Sequence, residues 1–223
     1  TTTGSFYVGT SNLVVMEGGN IGIGTTSPEG ILDIYSTSGI DSDVDAVPTM
    51  TGTSSPSGTA SADSNNTNRE AWKSFDDTVG ATALNDFWQT GGSKETGWLQ
   101  YQFPSSEIIA KYTLQAMSDS EGQMPKDWTF LASNTGNFSG EEVTLDTRSS
   151  ITFSASEKKS FSFFNPTAYT YYRIDVTATG NSGILYIGEM EMMGKVSGTA
   201  LIVLDNGNVG IGTSSPSQVL SVS

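Results

Sequence analysis

The side chains that carry most protein catalysis are missing from this sequence. Its 223 residues include no histidine and no cysteine, which excludes Ser-His-Asp and Cys-His catalysis and the usual zinc sites. Carboxylate pairs remain, such as Glu141-Glu142 and Asp41 with Asp43. Adjacent side chains of a strand point to opposite faces, and nothing places two carboxylates around a cleft at the separations that glycoside cleavage requires. We therefore predict that the chain is not an enzyme.

The charge balance is strongly acidic. The sequence has 24 acidic and 10 basic side chains and a net charge of −14. This field repels a phosphate backbone, so we expect no nucleic-acid partner; solubility at high local density and calcium ligation are natural uses for such charge. No apolar run is long enough to span a bilayer, and we expect no membrane insertion. The chain opens on three threonines without an initiator methionine, so we expect it to be part of a longer protein.

An internal repeat frames the chain. Residues 13–35 align without a gap on residues 201–223. Each copy predicts a short strand, a glycine turn, a second short strand, a break at Pro28 or Pro216, and a third strand. Alternating Ile and Gly leave one face bare, which permits close approach of another backbone. Such a unit cannot bury its apolar face alone and needs neighbours along the axis or from other chains. The alternative, that each run is an edge hairpin of one globular domain, is less favoured because the two copies bracket an unrelated middle.

The two copies share a recognisable motif, GNIGIGTTSP at residues 19–28 and GNVGIGTSSP at residues 207–216. It resembles the shaft repeat of tail-fibre and other adhesive proteins of phages and prophages. In those proteins three chains wrap into a β-rich shaft. The resemblance implies a homotrimer located on a virion, in a tail or other surface fibre, and thus outside the cell.

The middle of the chain has the pattern of a β-sandwich. Leu99, Tyr101 and Phe103 alternate with glutamines, and similar alternation recurs up to the strand that ends near residue 193. Helical periodicity is weak. We predict an all-β chain with four parts: a shaft repeat at 1–36, a linker at 37–50, a sandwich at 51–193 and a shaft repeat at 194–223.

Several stretches of the middle domain resemble the discoidin-like (coagulation-factor C-type) family of galactose-binding-like jelly rolls. In family order they are residues 70–77 (EAWKSFDD), 87–90 (FWQT), 97–103 (GWLQYQF), 125–130 (PKDWTF), 132–134 (ASN), 171–174 (YYRI) and 188–192 (GEMEM). Two departures stand out. The usual Asp-Gly of the first loop is Asp76-Asp77 here, and residues 132–134 are followed by Thr135, where Asp is common.

The resemblance implies ligand binding through loops at one end of the sandwich, often braced by a calcium ion. Calcium takes six to eight oxygen ligands. The implied ligands are the Lys73 carbonyl, Asp76, Thr78 and Glu189, with Asp77 and Glu191 as substitutes. Asp76-Asp77-Thr78 packs oxygens into one turn, which suits this chemistry. The alternative is that Glu189 and Glu191 are the solvated face of a terminal strand.

Loop placement suggests the residues that contact a ligand. They are Asn85, Asp86 and Phe87 before Trp88; Met117, Asp119, Gln123 and Met124 before Pro125; and Arg148 beside a turn. The four tryptophans, Trp72, Trp88, Trp98 and Trp128, all fall in stretches that resemble core positions of the family, so we expect them in the core.

The favoured function is that of a fibre protein of a phage-like particle whose sandwich binds host-surface carbohydrate. Multivalency of a trimer suits adhesion, since linked weak contacts bind strongly together. The alternatives are a decoration domain without its own ligand, a secreted bacterial adhesin or prophage remnant of similar architecture, and a polysaccharide-degrading tail spike.

Overall fold

The computed structural model describes residues 6–8, 13–25, 27–80, 85–181, 183–211 and 216–217. The chain divides into two compact units, one formed by residues 1–41 with 195–223 and the other by residues 42–194. Among the described residues, no helix has the length and apolar character needed to cross a membrane.

The described structure is nearly all-β, with 47% strand and 4% helix, as the alternating patterns predict, and the all-β prediction is confirmed. Two 3₁₀ turns, at Ala71–Ser74 and Glu121–Gln123, interrupt them. The strands are β1 (Phe6–Val8), β2 (Leu13–Val15), β3 (Ile21–Ile23), β4 (Leu32–Asp45), β5 (Thr59–Ala62), β6 (Trp88–Gln89), β7 (Gly97–Glu107), β8 (Ile109–Gln115), β9 (Pro125–Ser133), β10 (Val143–Arg148), β11 (Lys158–Ser162), β12 (Tyr169–Thr179), β13 (Tyr186–Ile187), β14 (Glu189–Val203) and β15 (Val209–Ile211).

The larger unit is a β-sandwich. One sheet has the order β10-β9-β12-β7-β5, and opposite it β8 lies between β11 and residues 189–194 of β14. Aromatic rings fill the space between the sheets: the Tyr112 ring of β8 stacks on Phe130 of β9 with centroids 4.4 Å apart. Leu99, Tyr101 and Phe103 all face this core and are at most 2% exposed. The predicted jelly-roll sandwich is therefore confirmed.

The expectation that all four tryptophans are core residues is correct for Trp88 and Trp128, which are at most 1% exposed. Trp72 is half-buried at the edge of the core. Trp98 is half-buried on the outer face of β7, where the Arg173 guanidinium lies 4.0 Å from its ring centre. The physical reason is the two-residue period of a strand, which turns residue 98 outward when residue 99 points inward.

The smaller unit contains the described parts of both repeats. In the first copy β2 pairs with β3, and β3 pairs in parallel with β4 after the break at Pro28. In the second copy the end of β14 pairs with β15, while residues 212–215 and the predicted third strand at 218–223 lie outside the described residues. The bare glycine face of β3 is closely approached by backbone, because a Cβ on Gly22 would lie 2.6 Å from the Thr25 carbonyl oxygen.

The segment from 37 to 50, which we expected to be a linker, begins as regular structure, since residues 37–45 continue strand β4. Asp45 ends this strand, and its carboxylate accepts hydrogen bonds from the backbone N–H groups of Val47 (3.0 Å) and Met192 (2.9 Å). These bonds between β4 and β14 were not visible in the composition of the segment, which is low in aromatic residues.

We predict that Gly58→Ala destabilises the chain more than the matched control Gly92→Ala. Both glycines have left-handed backbones, with φ of +71° and +68°, but a Cβ on Gly58 would lie 2.1 Å from the Tyr101 hydroxyl oxygen whereas Gly92 has open space. The conformation alone costs about 1–2 kcal/mol, and overpacking adds about 1–3 kcal/mol at Gly58 only. Urea unfolding followed by tryptophan fluorescence measures both, and equal losses would show that the Tyr101 contact is unimportant.

Candidate functional site

The first loop of the sandwich is tied to the last strands by one buried serine. Ser74, at the end of the first 3₁₀ turn, donates its hydroxyl to the Ile187 carbonyl (2.6 Å) and accepts from the Trp88 N–H (3.0 Å). Ser74 is completely buried. The Ser74 hydroxyl therefore holds the loop that carries Asp76 beside β6, β13 and the start of β14.

Asp76 occupies a tight turn in this loop. Its Oδ1 accepts hydrogen bonds from both the backbone N–H (3.0 Å) and the hydroxyl of Thr78. Asp77 adopts a left-handed backbone with φ of +59°. Glycine adopts this conformation most readily, and Asp tolerates it better than most residues. This explains how Asp77 can stand where discoidin-like proteins usually have glycine.

Glu189 is the most unusual group of the site. It begins β14, it is 3% exposed, and among the described residues neither of its carboxylate oxygens accepts a well-formed hydrogen bond, although the Asp77 backbone N–H is near enough to oppose the rise of its pKa. Burial raises the pKa of Glu189 well above its ordinary value, and the negative charge of Asp76 raises it further. A buried carboxylate without a partner is costly unless a proton or a cation neutralises it. The alternative reading of Glu189 as a solvated strand residue is therefore wrong.

Other carboxylates share this environment. Burial raises the pKa of Asp76 to about 6, with the nearby Asp86 adding to the effect. Burial also raises the pKa of Asp45 to about 7, and the charges of Glu191 and Asp77 act in the same direction. The site thus gathers several carboxyl groups, and the negative charge of neighbouring carboxylates raises the pKa of Asp45, Asp76 and Glu189.

These residues fit a calcium ion of mixed ligation. Within the described residues no three acidic side chains converge to hold a metal, but the implied set needs only two carboxylates, from Asp76 and Glu189, with the Thr78 hydroxyl and the Lys73 carbonyl. The orphaned oxygens of Glu189 are what such an ion would satisfy. The Lys73 ammonium does not neutralise them, because it donates to the carbonyls of Asn68 and Asn85, both at 2.8 Å.

Glu191, considered as a substitute ligand, is committed elsewhere. Its Oε2 lies 2.5 Å from the Lys158 ammonium and accepts a hydrogen bond from the Thr113 hydroxyl (3.1 Å). Asp77, the other substitute, accepts a hydrogen bond from the Thr49 hydroxyl.

The loop before β6 brings together predicted and unpredicted residues. Arg69 donates to the side chains of Asn85 (2.8 Å, from Nε) and Gln89, and its guanidinium lies 4.7 Å from the Phe87 ring centre. Sequence reasoning missed Arg69, although the scarcity of basic residues in this acidic chain is a signal that could have indicated it. Asp86 completes the loop and acts electrostatically on Asp76.

Three of the predicted ligand contacts are buried: Met124, which is 1% exposed and belongs to the main core, and the pair Phe87 and Met117. Phe87 and Met117 are 0% exposed and form a small cluster with Tyr186, whose ring centroid lies 5.0 Å from that of Phe87. They support the loops from beneath and present no surface to a ligand in this conformation. The physical reason is that an apolar side chain in a short loop gains more from burial than from exposure.

The loop that ends at Pro125 borders a cavity. Asp119 is exposed and Gln123 is half-buried in the second 3₁₀ turn. Beside them a cavity of about 170 Å³ is enclosed by Met124 and Pro125, residues 151–153, Glu121 with Gly122, and Gly180 with Asn181. The Asn181 N–H donates to the Gly122 carbonyl (2.6 Å), which joins the two loops at the cavity wall.

Arg148 belongs to a different part of the sandwich. Its Nε donates to Asp146 (2.7 Å), and its guanidinium lies 5.2 Å from the Phe161 ring centre. Asp146 also accepts from the Tyr112 hydroxyl (2.9 Å), which in turn accepts from the Trp128 indole N–H (2.7 Å). This chain of bonds satisfies buried polar groups of the core, and the structure gives Arg148 a supporting role there instead of a place in the loops.

Comparison with known proteins identifies the fold. The chain matches no protein-family model and no curated protein sequence. It is similar to the solved structure of an F-lectin (fucolectin) from the serum of the striped bass, Morone saxatilis, with a TM-score of 0.55 and 13% sequence identity. The match covers 71% of this chain and 50% of the lectin chain.

Lectinolysin provides two further similar structures. A point mutant of its lectin-binding domain, complexed with Lewis b, has a TM-score of 0.51 and 16% identity, covering 67% of this chain and 100% of that chain. Its lectin domain complexed with Lewis b antigen has a TM-score of 0.50 and 16% identity, covering 64% and 96%. The sandwich therefore has the discoidin-like, galactose-binding-like jelly-roll fold that its motifs predict. The fibre-shaft resemblance of residues 19–28 and 207–216 stays a prediction.

We predict that calcium raises the melting temperature of the wild-type chain and that Glu189→Gln abolishes this gain. A ligand that binds only the folded state stabilises it by about 2.7 kcal/mol at a hundredfold excess over its Kd. In chelator, Glu189→Gln melts at or above the wild-type temperature, because it removes an uncompensated buried charge. Differential scanning fluorimetry in EGTA and in CaCl₂ measures both effects.

Glu191→Gln serves as the matched control, since it changes the same residue type on the same strand at a group already paired with Lys158. It should keep the calcium response. A response that survives Glu189→Gln, or one lost equally in both variants, would contradict the assignment of Glu189.

Proposed function

We propose that the chain is a segment of a homotrimeric fibre on the surface of a phage-like particle, outside the cell, and that its sandwich binds host-surface carbohydrate. In this proposal the domain acts by binding and not by catalysis. The observation that carries the binding proposal is the cavity between the loops at residues 121–125, 151–153 and 180–181. The lectin structures that share the fold support it.

The chemistry of the cavity suits a sugar. A sugar ring presents apolar C–H surface together with hydroxyl groups, and Ile151 and Phe153 offer apolar surface of the matching kind. The Glu121 carboxylate accepts hydrogen bonds, and the Asn181 amide both donates and accepts them. The volume is below the roughly 300–1,000 Å³ of sites that enclose drug-sized ligands. We infer that the site takes the end of a glycan and not an extended stretch.

Calcium has a structural role in this proposal. Asp76, Glu189, the Thr78 hydroxyl and the Lys73 carbonyl would hold the ion, which would supply the positive charge that the acidic site lacks. By joining the first loop to the start of β14, it would order the neighbouring loop of Asn85 and Asp86. The unpartnered Glu189 oxygens support this role.

Apolar exposure in the two repeats supports the trimer. Ile23 and Ile211 occupy equivalent positions of the two copies, and they are 40% and 69% exposed. Each lies on a strand of only three residues, so the chain itself supplies little to cover them. Copies of the same chain would bury these side chains and create one continuous core, as repeat units require. Three sandwiches on one fibre would then bind glycans together, so that several weak contacts give strong adhesion through avidity.

We predict that Phe153→Ala lowers glycan affinity at least tenfold, because loss of the apolar surface removes about 1.5–3 kcal/mol of burial. A glycan array of the wild-type chain identifies the ligand, and calorimetry with the best hit measures the change. Phe164→Ala is the control, since Phe164 is 78% exposed and does not line the cavity. Equal binding by both variants would place the ligand elsewhere, and no binding by the wild type on any array would favour a decoration domain without a ligand.

We also predict that light scattering of the purified chain gives three chain masses and that Ile211→Asp shifts the chain toward the monomer. A charge on the buried face of a trimer would be desolvated without a partner. Val143→Asp, at a 42% exposed position of the sandwich strand β10, is the control and should stay trimeric. A stable wild-type monomer at micromolar concentration would contradict the proposal for the end repeats.

A further inference from the structure

The outer face of the five-stranded sheet carries a second, larger cavity of about 550 Å³. It is lined by Gly97 at the start of β7 and by residues 175–177 of β12, together with Asp63, Lys94 and Thr96 from the adjoining segments. Its lining shares no residue with the cavity at the loops. Hydroxyl and charged groups dominate the lining, which differs from the apolar lining of the loop cavity.

Asp175 is the central polar group of this cavity. It lies opposite Trp98 of β7 and Thr129 of β9 in the strand register, and thus in the middle of the sheet face. Burial raises the pKa of Asp175, while the positive charge of Arg173 opposes the rise. The charges of Arg173 and Asp63 act on this carboxylate, and within the described part of the chain no residue donates a hydrogen bond to it. Its oxygens therefore remain available as acceptors.

Arg173 is held in a fixed position beside Asp175. Its guanidinium lies between the rings of Trp98 (4.0 Å) and Phe138 (3.7 Å) and donates two hydrogen bonds to the Gln100 side-chain oxygen, at 3.1 and 2.7 Å. Phe138 has a left-handed backbone, with φ of +46°, which is uncommon for a bulky residue. The two rings and Gln100 prevent Arg173 from turning to form a close ion pair with Asp175.

The opposite wall of the cavity is also preorganised. The Lys94 ammonium lies 3.5 Å from Asp63. A Cβ on Gly97 would lie 2.7 Å from the Asp63 carboxylate, so glycine is what lets Asp63 reach this position. The Lys94 carbonyl accepts hydrogen bonds from the Leu185 N–H (2.9 Å) and the Thr90 hydroxyl (2.6 Å), which fix its backbone.

We propose that this sheet-face cavity is a second binding site for a neutral, hydroxyl-rich ligand, that is, a sugar residue bound separately from the one in the loops. Asp63 and Asp175 accept hydrogen bonds from sugar hydroxyls, Lys94 donates to them, and the hydroxyls of Thr96 and Thr177 do either. The two carboxylates disfavour an anionic sugar, since like charges repel in a partly desolvated site. The ligand groups sit on strands or on tightly bonded segments, as a specific site requires.

Saturation-transfer NMR of the full chain with galactose, mannose, N-acetylglucosamine and lactose tests the proposal. Phe153→Ala removes the loop site, and we expect at least one sugar to keep binding to this variant. Adding Asp175→Asn should weaken that remaining binding at least tenfold, because it removes a charged acceptor. Glu107→Gln, at the far end of β7, is the matched control and should leave the remaining binding unchanged.

Each outcome separates the two sites. Loss of all sugar signals with Phe153→Ala overturns the sheet-face site and leaves the loop site intact. Binding that is insensitive to Phe153→Ala but lost with Asp175→Asn supports the sheet-face site and contradicts the loop site. If Asp175→Asn lowers the melting temperature, Thr177→Val provides the second test, and unchanged binding in that variant overturns the proposal.

Discussion

Buried negative charge at Glu189 and Asp76 is the constraint on which the loop end of the sandwich depends. Burial raises the pKa of both carboxyls, Asp76 raises the pKa of Glu189 further, and Asp86 does the same for Asp76. Such buried carboxylates oppose folding unless something neutralises them. Burial of Glu189 with no well-formed hydrogen bond from the described residues makes the cost of its charge severe. In the proposed function a calcium ion would offset this cost, because an ion would replace the lost hydration with direct coordination and add the charge that is missing.

The position of this charge explains why its neutralisation matters for the loops. Asp76 follows the turn that Ser74 ties to Ile187 and Trp88 by hydrogen bonds. Glu189 begins β14, two residues after Ile187. An ion held by both carboxylates would join the first loop to the start of β14, in addition to the Ser74 hydrogen bonds. The apolar cluster of Phe87, Met117 and Tyr186 lies under the neighbouring loops and supplies the rest of their support.

Much of the sandwich could be predicted from the sequence because its signals are local. The alternation of Leu99, Tyr101 and Phe103 predicts a strand with one buried face, and the structure has it. Ile-Gly alternation in the repeats likewise predicts short strands with a bare face, and Gly22 of β3 shows the resulting close approach of the Thr25 carbonyl. The Asp76 turn was recognisable because it concentrates oxygen atoms in three consecutive residues.

The side chains that the sequence misplaced are those whose partners are distant in the chain. Arg148 was predicted as a ligand contact, but its guanidinium lies over the Phe161 ring and bonds to Asp146, which in turn accepts a hydrogen bond from Tyr112, 34 residues away. Trp98 was expected in the core, yet Arg173 and Phe138 stack with it into an outer layer. The burial of Phe87 and Met117 depends on Tyr186, about 70–100 residues away in the sequence. Long-range packing of this kind leaves no local pattern.

Direct measurement of bound calcium tests the central claim. The chain is stripped with chelator and dialysed against buffered calcium at neutral pH. Its metal content is then determined by inductively coupled plasma mass spectrometry, for the wild type and for the double variant Asp76→Asn with Glu189→Gln. About one calcium ion per wild-type chain, lost in the double variant, is the result that the proposal predicts from the buried Glu189 carboxylate beside Asp76. A wild-type chain that retains no calcium above the level of the double variant would contradict it.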